Sequence, residues 1–372
     1  MPKTGTSSIQ ETLAVALRDP RFRYVGLGIA NGSRALQCLV GDQPVAAHVH
    51  HAQGIDPEAM RRRAPEFRRA WELQLTRARE AGATPVVSAE DCWFFKHHEL
   101  RRVREMVEGY GFRAAVLVYL RPPLEWVTSM FQELLKSGHH VFADRLLMPH
   151  AGGTGLFEPF GLDYLHRIDA LEDVFGCGNI AVRAFRRDAL FGGCVVRDFC
   201  RQLGIELCPR RIRKVNERLS LDATRFLYAY NRFVRERSAP RFRDVLLLLR
   251  RLQECPGGPL RLHPNLLAPV RPLLEAQIVE IRRRFGIDLA EDWSGASDDM
   301  VGTERDLMRF APASVGWLYA ATSRVSPQRA TVDAQPGDIA VRVSQLRPRL
   351  WHRLEDQVRG RVSQLRRIWA DA

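Results

Sequence analysis

Lys3 stands ahead of a run of small and hydroxyl-bearing residues, Thr4, Gly5, Thr6, Ser7 and Ser8, in the opening stretch MPKTGTSS. Two chemistries call for such a run. A single Ser or Thr oxygen caps a following helix by accepting from its first backbone N–H groups. Several hydroxyls around a glycine, with a lysine in front, suit a cradle for a phosphate-like anion at the helix start. The Walker pattern G-x-x-x-x-G-K-[ST] is absent.

A second stretch, VLVYLRPPLEWVTSMFQ, puts Arg121 at the end of the most apolar run in the chain and Ser129 about two helical turns further on. Ligands of parallel sheets bind beyond the carboxyl ends of the strands. Arg121 is therefore expected at the same edge as the Lys3 loop, where with Ser129 it could hold a second phosphate through a charge-assisted fork. Taken singly, Arg121 reads as a solvated loop residue and Ser129 as a helix-surface residue.

The elements that must position these groups alternate. The pattern predicts helices over residues 6–17, 57–81, 97–108, 122–137, 163–175 and 195–204, and strands over 24–27, 85–88, 112–120 and 179–185. Pro122 and Pro123 suit a first helical turn and Gly138 the position past the last one. This order predicts a three-layer α/β/α domain with a mainly parallel sheet. Residues 220–285 read as helical throughout, with a break near Pro256-Gly257-Gly258-Pro259. The domain is expected to cover residues 1–293. Residues 294–338 read as a linker and 339–372 as a basic amphipathic helix, with VSQLR twice and apolar residues from Val343 to Trp369 at steps of three and four. That helix could dock on the protein's own core or on a second copy, or lie on an anionic membrane surface.

With 372 residues, 45% hydrophobic and 27% charged, the chain can bury a sizeable core, and no apolar run approaches the roughly 20 residues of a membrane span. Met1 leads into polar residues rather than a signal-peptide core. The seven cysteines form no C-x-x-C pair, so neither zinc nor a disulfide framework is expected, and a cytoplasmic location fits. The net charge of +13 calls for an anionic partner, but the excess arginine is spread along the chain without a nucleic-acid-binding module, so nucleic acid is not the expected partner.

Together the two stretches resemble the PAPS-dependent sulfotransferase family, in particular bacterial members that act on glycans and similar acceptors. Pro2 to Ser8 is similar to the family's 5′-phosphosulfate loop, and Tyr119-Leu120-Arg121 with Ser129 to its 3′-phosphate motif. Further similarity lies in Phe131-Gln132, Lys136-Ser137-Gly138, Asp198-Phe199, Leu203-Gly204-Ile205 and Asn216 to Ser220. The resemblance spans about residues 1–290 and implies a P-loop-related fold, the co-substrate 3′-phosphoadenosine 5′-phosphosulfate (PAPS) and no metal. It implies that Lys3 neutralises the leaving phosphate, that Thr4, Gly5, Thr6, Ser7 and Ser8 hold the 5′-phosphate, and that Arg121 and Ser129 hold the 3′-phosphate. Since the family's loop follows a core strand, we expect the true start to lie upstream of Met1, with an apolar strand encoded ahead of Pro2.

The acceptor's proton needs a base. Glu90, just past the strand expected at 85–88, is one candidate, with a surface helix-capping role as its alternative; Ser88-Ala89-Glu90 resembles a turn in bacterial relatives. His50, in a cluster with His48 and His51, is the other. Some relatives carry a His after the residue aligned with Asn31; this chain has Gly32 there. Asn31, Ser33 and Lys136 are expected to line the acceptor pocket, with variable residues 138–159 forming part of its wall. Two other readings remain: an ATP-dependent P-loop kinase-like enzyme, and a non-catalytic polyanion-binding protein.

Overall fold

A computed structural model describes residues 1–28, 30–42, 57–140, 161–215, 218–235, 242–295, 297, 299–322 and 335–346. His48, His50 and His51, residues 141–159 of the expected acceptor wall, Asn216, Glu217 and the tail beyond Leu346 lie outside the described residues.

The architecture is mixed α/β, mostly helical, with short parallel strands. Helix α1 spans Thr6–Ala16, followed by strand β1, Phe22–Tyr24, and helix α2, Ser33–Val40. Helices α3, Pro57–Arg62, and α4, Ala64–Glu80, precede β2, Thr84–Val86; α5, His97–Glu108, precedes β3, Val116–Leu120. Then come α6, Pro123–Ser137, α7, Tyr164–Phe175, β4, Ile180–Ala184, and α8, Val195–Leu203. The carboxyl half adds α9, Leu221–Tyr230, α10, Phe242–Leu252, and α11, Arg271–Phe285.

Among the described residues the strands form two parallel pairs, β1 with β2 and β3 with β4, where a single sheet was expected. The edges explain part of this. Thr84 N and Val86 O bond towards β1, so Pro85 faces the other edge of β2, where it has no N–H to offer. On β3 the Leu120 carbonyl accepts from Phe185 N at 2.6 Å, towards β4. The Tyr119 carbonyl therefore points to the opposite edge, where it accepts from the Met1 nitrogen at 3.4 Å.

Both pairs nevertheless belong to one packed body. Ile9 and Leu13 of α1 bury their side chains with Val86 of β2, Tyr119 of β3 and Val195 and Val196 of α8. The buried carboxylate of Asp198 pins α8 to β3 and β4, accepting from the Tyr119 hydroxyl at 2.8 Å, the Arg183 guanidinium at 3.1 Å and Phe191 N at 3.1 Å. Helix α1 is thus laid across both strand pairs, which brings the Lys3 loop to the ends of β2 and β3.

Within the stretch expected to be a linker, the described residues form α12, Glu304–Leu307, and α13, Pro312–Thr322, and the first residues of α14, Pro336–Ser344. Leu307, Val315, Leu318, Ile339 and Val343 are buried in the main core, and Phe310 and Trp317 stack on Phe226 of α9 with ring centroids 5.7 and 6.3 Å apart. The Ser, Gly and Asp content hid these few large anchors, whose partners, Phe226 of α9 among them, come from distant parts of the chain. No helix among the described residues is long and apolar enough to cross a membrane.

Candidate functional site

The site is built on the turn that leads into α1. Gly5 is the residue before the helix and sits in left-handed conformation at φ 74° with no side chain capping the first turn. The hydroxyl run does not act as a helix cap. Thr4 donates to the Met1 carbonyl at 2.6 Å, Thr6 donates to Glu90 Oε2 at 2.5 Å, and the Ser8 hydroxyl accepts from Val215 N at 3.1 Å. Gly5 is required on two counts. Its φ is one that side chains resist, and a Cβ there would lie 2.8 Å from Val195 Cγ1 and 3.3 Å from the Phe185 ring.

Lys3 has φ 64°, the only positive φ at a non-glycine among the described residues. Such a conformation persists only where surrounding bonds over-determine it. Here they do: Trp126 Nε1 donates to the Pro2 carbonyl at 3.2 Å and Arg121 Nη1 to the Lys3 carbonyl at 2.9 Å. The Lys3 side chain extends to α6, where Nζ lies 2.8 Å from Glu133 Oε2.

Helix α6 starts at the two prolines and ends at Gly138, with φ 104°. One face buries Trp126, Val127, Phe131 and Leu135; the other places Glu125, Ser129 and Glu133 one above the next at four-residue steps. Arg121 is buried and donates to Glu125 Oε2 from Nε at 3.4 Å and Nη2 at 3.2 Å, with its guanidinium 5.4 Å from the Phe185 ring centroid. The Tyr164 hydroxyl fixes the Arg121 carbonyl at 2.7 Å. Arg218 Nη2 reaches the same Glu125 oxygen at 3.8 Å. Burial alone would raise the Glu133 carboxyl, but Lys3 and Lys136 beside it hold it below the ordinary value. Burial and Lys3 push the Lys136 ammonium down, against the pull of Glu133.

Across the turn, Glu90 joins the expected pocket residues. Asn31 Nδ2 donates to Glu90 Oε1 at 3.3 Å, Asn31 Oδ1 accepts from Ser33 N at 2.9 Å, and the Ser33 hydroxyl accepts from Asp91 N at 3.1 Å. Gly32 lies against β2's carboxyl end: its N–H donates to the Ser88 carbonyl at 3.0 Å, and a Cβ would stand 3.1 Å from that oxygen. A histidine at that place would press on this backbone. Asp91 is a half-buried carboxyl pushed up to about 7 by desolvation and by neighbouring Glu90, and it accepts from Gln37 Nε2 at 3.0 Å. Glu291, from beyond α11, accepts from Leu124 N at 2.5 Å at the start of α6, and its carboxyl is also pushed up to about 7, chiefly by burial.

Lys3, Thr6, Glu90, Asn31 and Ser33 are therefore gathered around one turn, with Arg121 between β3 and the adjoining helix α6 and Ser129 and Lys136 on that helix. Glu125, Glu133, Asp91 and Glu291 were missed by sequence reasoning. The four-residue steps from Arg121 to Glu125, Ser129 and Glu133 were the available signal for two of them. One further group, Asp42, His98 and Glu99, has ligand atoms within 4.8 Å of one another. These atoms are already engaged: Asp42 by His98, Arg102 and Lys96, and both Glu99 oxygens by the backbone N–H groups of Asp42 and Lys96. The cluster is a helix-capping network. No family model matches this chain, and neither the curated proteins nor the solved structures contain a significant match to it.

Proposed function

We propose that this protein is a sulfotransferase that moves a sulfuryl group from PAPS to a hydroxyl or amine of a glycan or another small acceptor, on a three-layer α/β/α frame of P-loop-related type. The observation that carries this reading is the contact of Arg121 with the Lys3 turn, which gathers a lysine, a helix start, several hydroxyls and an arginine at one turn. That set suits an anion with two phosphate groups. Lys3 and the turn from Thr4 to Ser8 would hold the 5′-phosphosulfate, and Arg121 with Ser129 the 3′-phosphate. Arg121 and Lys3 are each paired with a carboxylate of α6, so an entering phosphate takes the place of Glu125 or Glu133.

In the transfer, the bond from sulfur to the bridging oxygen breaks as the acceptor oxygen bonds to sulfur. The electron pair of the broken bond stays on the phosphate, where the Lys3 ammonium stabilises it. The acceptor's proton passes to Glu90, whose two oxygens are oriented by Thr6 and Asn31. Ser33 sets the Asn31–Asp91 side of this pocket. A reducing cytoplasm suits seven unpaired cysteines. The basic residues beyond α14 would serve contacts with an anionic surface or a second copy.

Calorimetric titration with adenosine 3′,5′-bisphosphate and, separately, ADP tests the reading. Binding of the bisphosphate well above ADP, lost in Arg121→Ala, is the expected result. Equal or tighter binding of ADP would favour a kinase-like enzyme. Binding that ignores Lys3→Ala but collapses with added salt would favour a polyanion-binding protein.

A further inference from the structure

Lys3 differs from the residues around it in how it is held. Its backbone is fixed by Arg121 at the Lys3 carbonyl, by Trp126 at the Pro2 carbonyl and by the Thr4 hydroxyl at the Met1 carbonyl. Gly5 packs closely on Val195 and Phe185, where a Cβ would lie 2.8 and 3.3 Å from their side chains. The four-carbon stem is the part that can move, and among the described residues its ammonium contacts Glu133. Glu133 lies one helical turn beyond Ser129 on the face of α6 that lines the site, so a swing of the stem along that face carries the ammonium from Glu133 to the neighbourhood of Ser129.

Glu133 also feels the charge of a second ammonium, Lys136, three residues further along the helix and half-buried. One carboxylate cannot neutralise two ammonium groups. The local excess of positive charge favours an anion, and Lys136 keeps Glu133 compensated when Lys3 departs, which removes the usual penalty of stranding a half-buried carboxylate.

We propose that Glu133 is a positioning residue that holds the Lys3 ammonium away from the transfer centre and yields it to an incoming phosphosulfate, with Lys136 taking over the Glu133 carboxylate. This deepens the sulfotransferase reading and rests on it. Glu133 competes with the ligand for Lys3, whereas Lys136 competes with Lys3 for Glu133. The two neighbours on one helix therefore act on ligand affinity in opposite directions.

The test measures calorimetric affinity for adenosine 3′,5′-bisphosphate in the wild type, E133Q, E133D and K136M. E133Q is expected to tighten binding about tenfold, K136M to weaken it about tenfold, and E133D to stay near wild type. A purely structural role would weaken binding in both E133Q and K136M, and that result, or no change in either, overturns the proposal. No binding by the wild type overturns the sulfotransferase reading itself and this proposal with it. A second measurement needs no nucleotide. With acetic anhydride at pH 8, Lys136 should acylate several-fold faster in E133Q than in wild type, because its anionic partner is gone. An unchanged rate would show that Glu133 does not share its charge with Lys136 and would also overturn the proposal.

Discussion

The Arg121 guanidinium donates to the carbonyl oxygen of Lys3 at 2.9 Å, joining two residues 118 positions apart in the chain. The bond supports a left-handed lysine, and the same guanidinium lies on Phe185 and against Glu125. One side chain thereby fixes the turn and supplies a cation beside it.

Replacing Arg121 by alanine should act on both. Losing charge-assisted bonds from a buried guanidinium should cost roughly 2–3 kcal/mol, read by urea denaturation. Arg121→Lys should recover only part of this, because an ammonium cannot make the forked contact with Glu125 while reaching Lys3. A lysine variant as stable as wild type would contradict this account of the turn.

Gly5→Ala should destabilise the protein by about 1–3 kcal/mol, from the positive φ and the crowding against Val195 and Phe185. Pairing it with Val195→Ala removes the tighter of the two contacts but leaves Phe185 and the backbone strain. The double variant should therefore melt above the level expected from adding the two single losses.

On the proposed sulfotransferase reading, Lys3→Ala should lower sulfuryl transfer from PAPS by about 100- to 1000-fold, the usual size of a lost transition-state contact. The far-ultraviolet circular dichroism should stay unchanged, since the backbone bonds at Pro2 and Lys3 do not use the lysine side chain. Near-normal turnover would remove Lys3 from the mechanism.

The raised carboxyls give stability a pH dependence of definite sign. Asp91 rises from 3.8 and Glu291 from 4.5, each to about 7. Both bind protons more tightly in the folded state, so their contribution is fully present below the unfolded values and is lost as pH rises towards 7. Asp91→Asn and Glu291→Gln should each flatten the decline in stability between about pH 4 and pH 7, followed by urea midpoints across that range. A slope unaltered in both variants would contradict the burial assigned to these groups.

Much of the frame was legible in the chain. The period of apolar residues located α1, α5, α6, α7, α8 and β3 to within a few residues, because each buries one face or both. Strand β1 was displaced, at Phe22–Tyr24 where 24–27 was expected, since a strand so short carries almost no alternation. Helix α2 was missed, its few apolar residues giving only two turns of pattern. The order in residues 303–322 escaped because it depends on Phe226, some eighty residues earlier in the chain.

The local sequence by itself determined which residues could do chemistry here: a lysine, hydroxyls and glycine before a helix, and an arginine closing an apolar strand. Only the tertiary structure decided who partners whom. It turned the hydroxyls from helix caps into links to Met1, Glu90 and Val215, and paired Lys3 with Glu133 and Arg121 with the Lys3 carbonyl. The reason is physical: helix and strand formation follow from neighbours a few residues apart. A charge or a hydroxyl satisfies itself with whatever the packed core brings within 3 Å, and that is set by the whole chain at once.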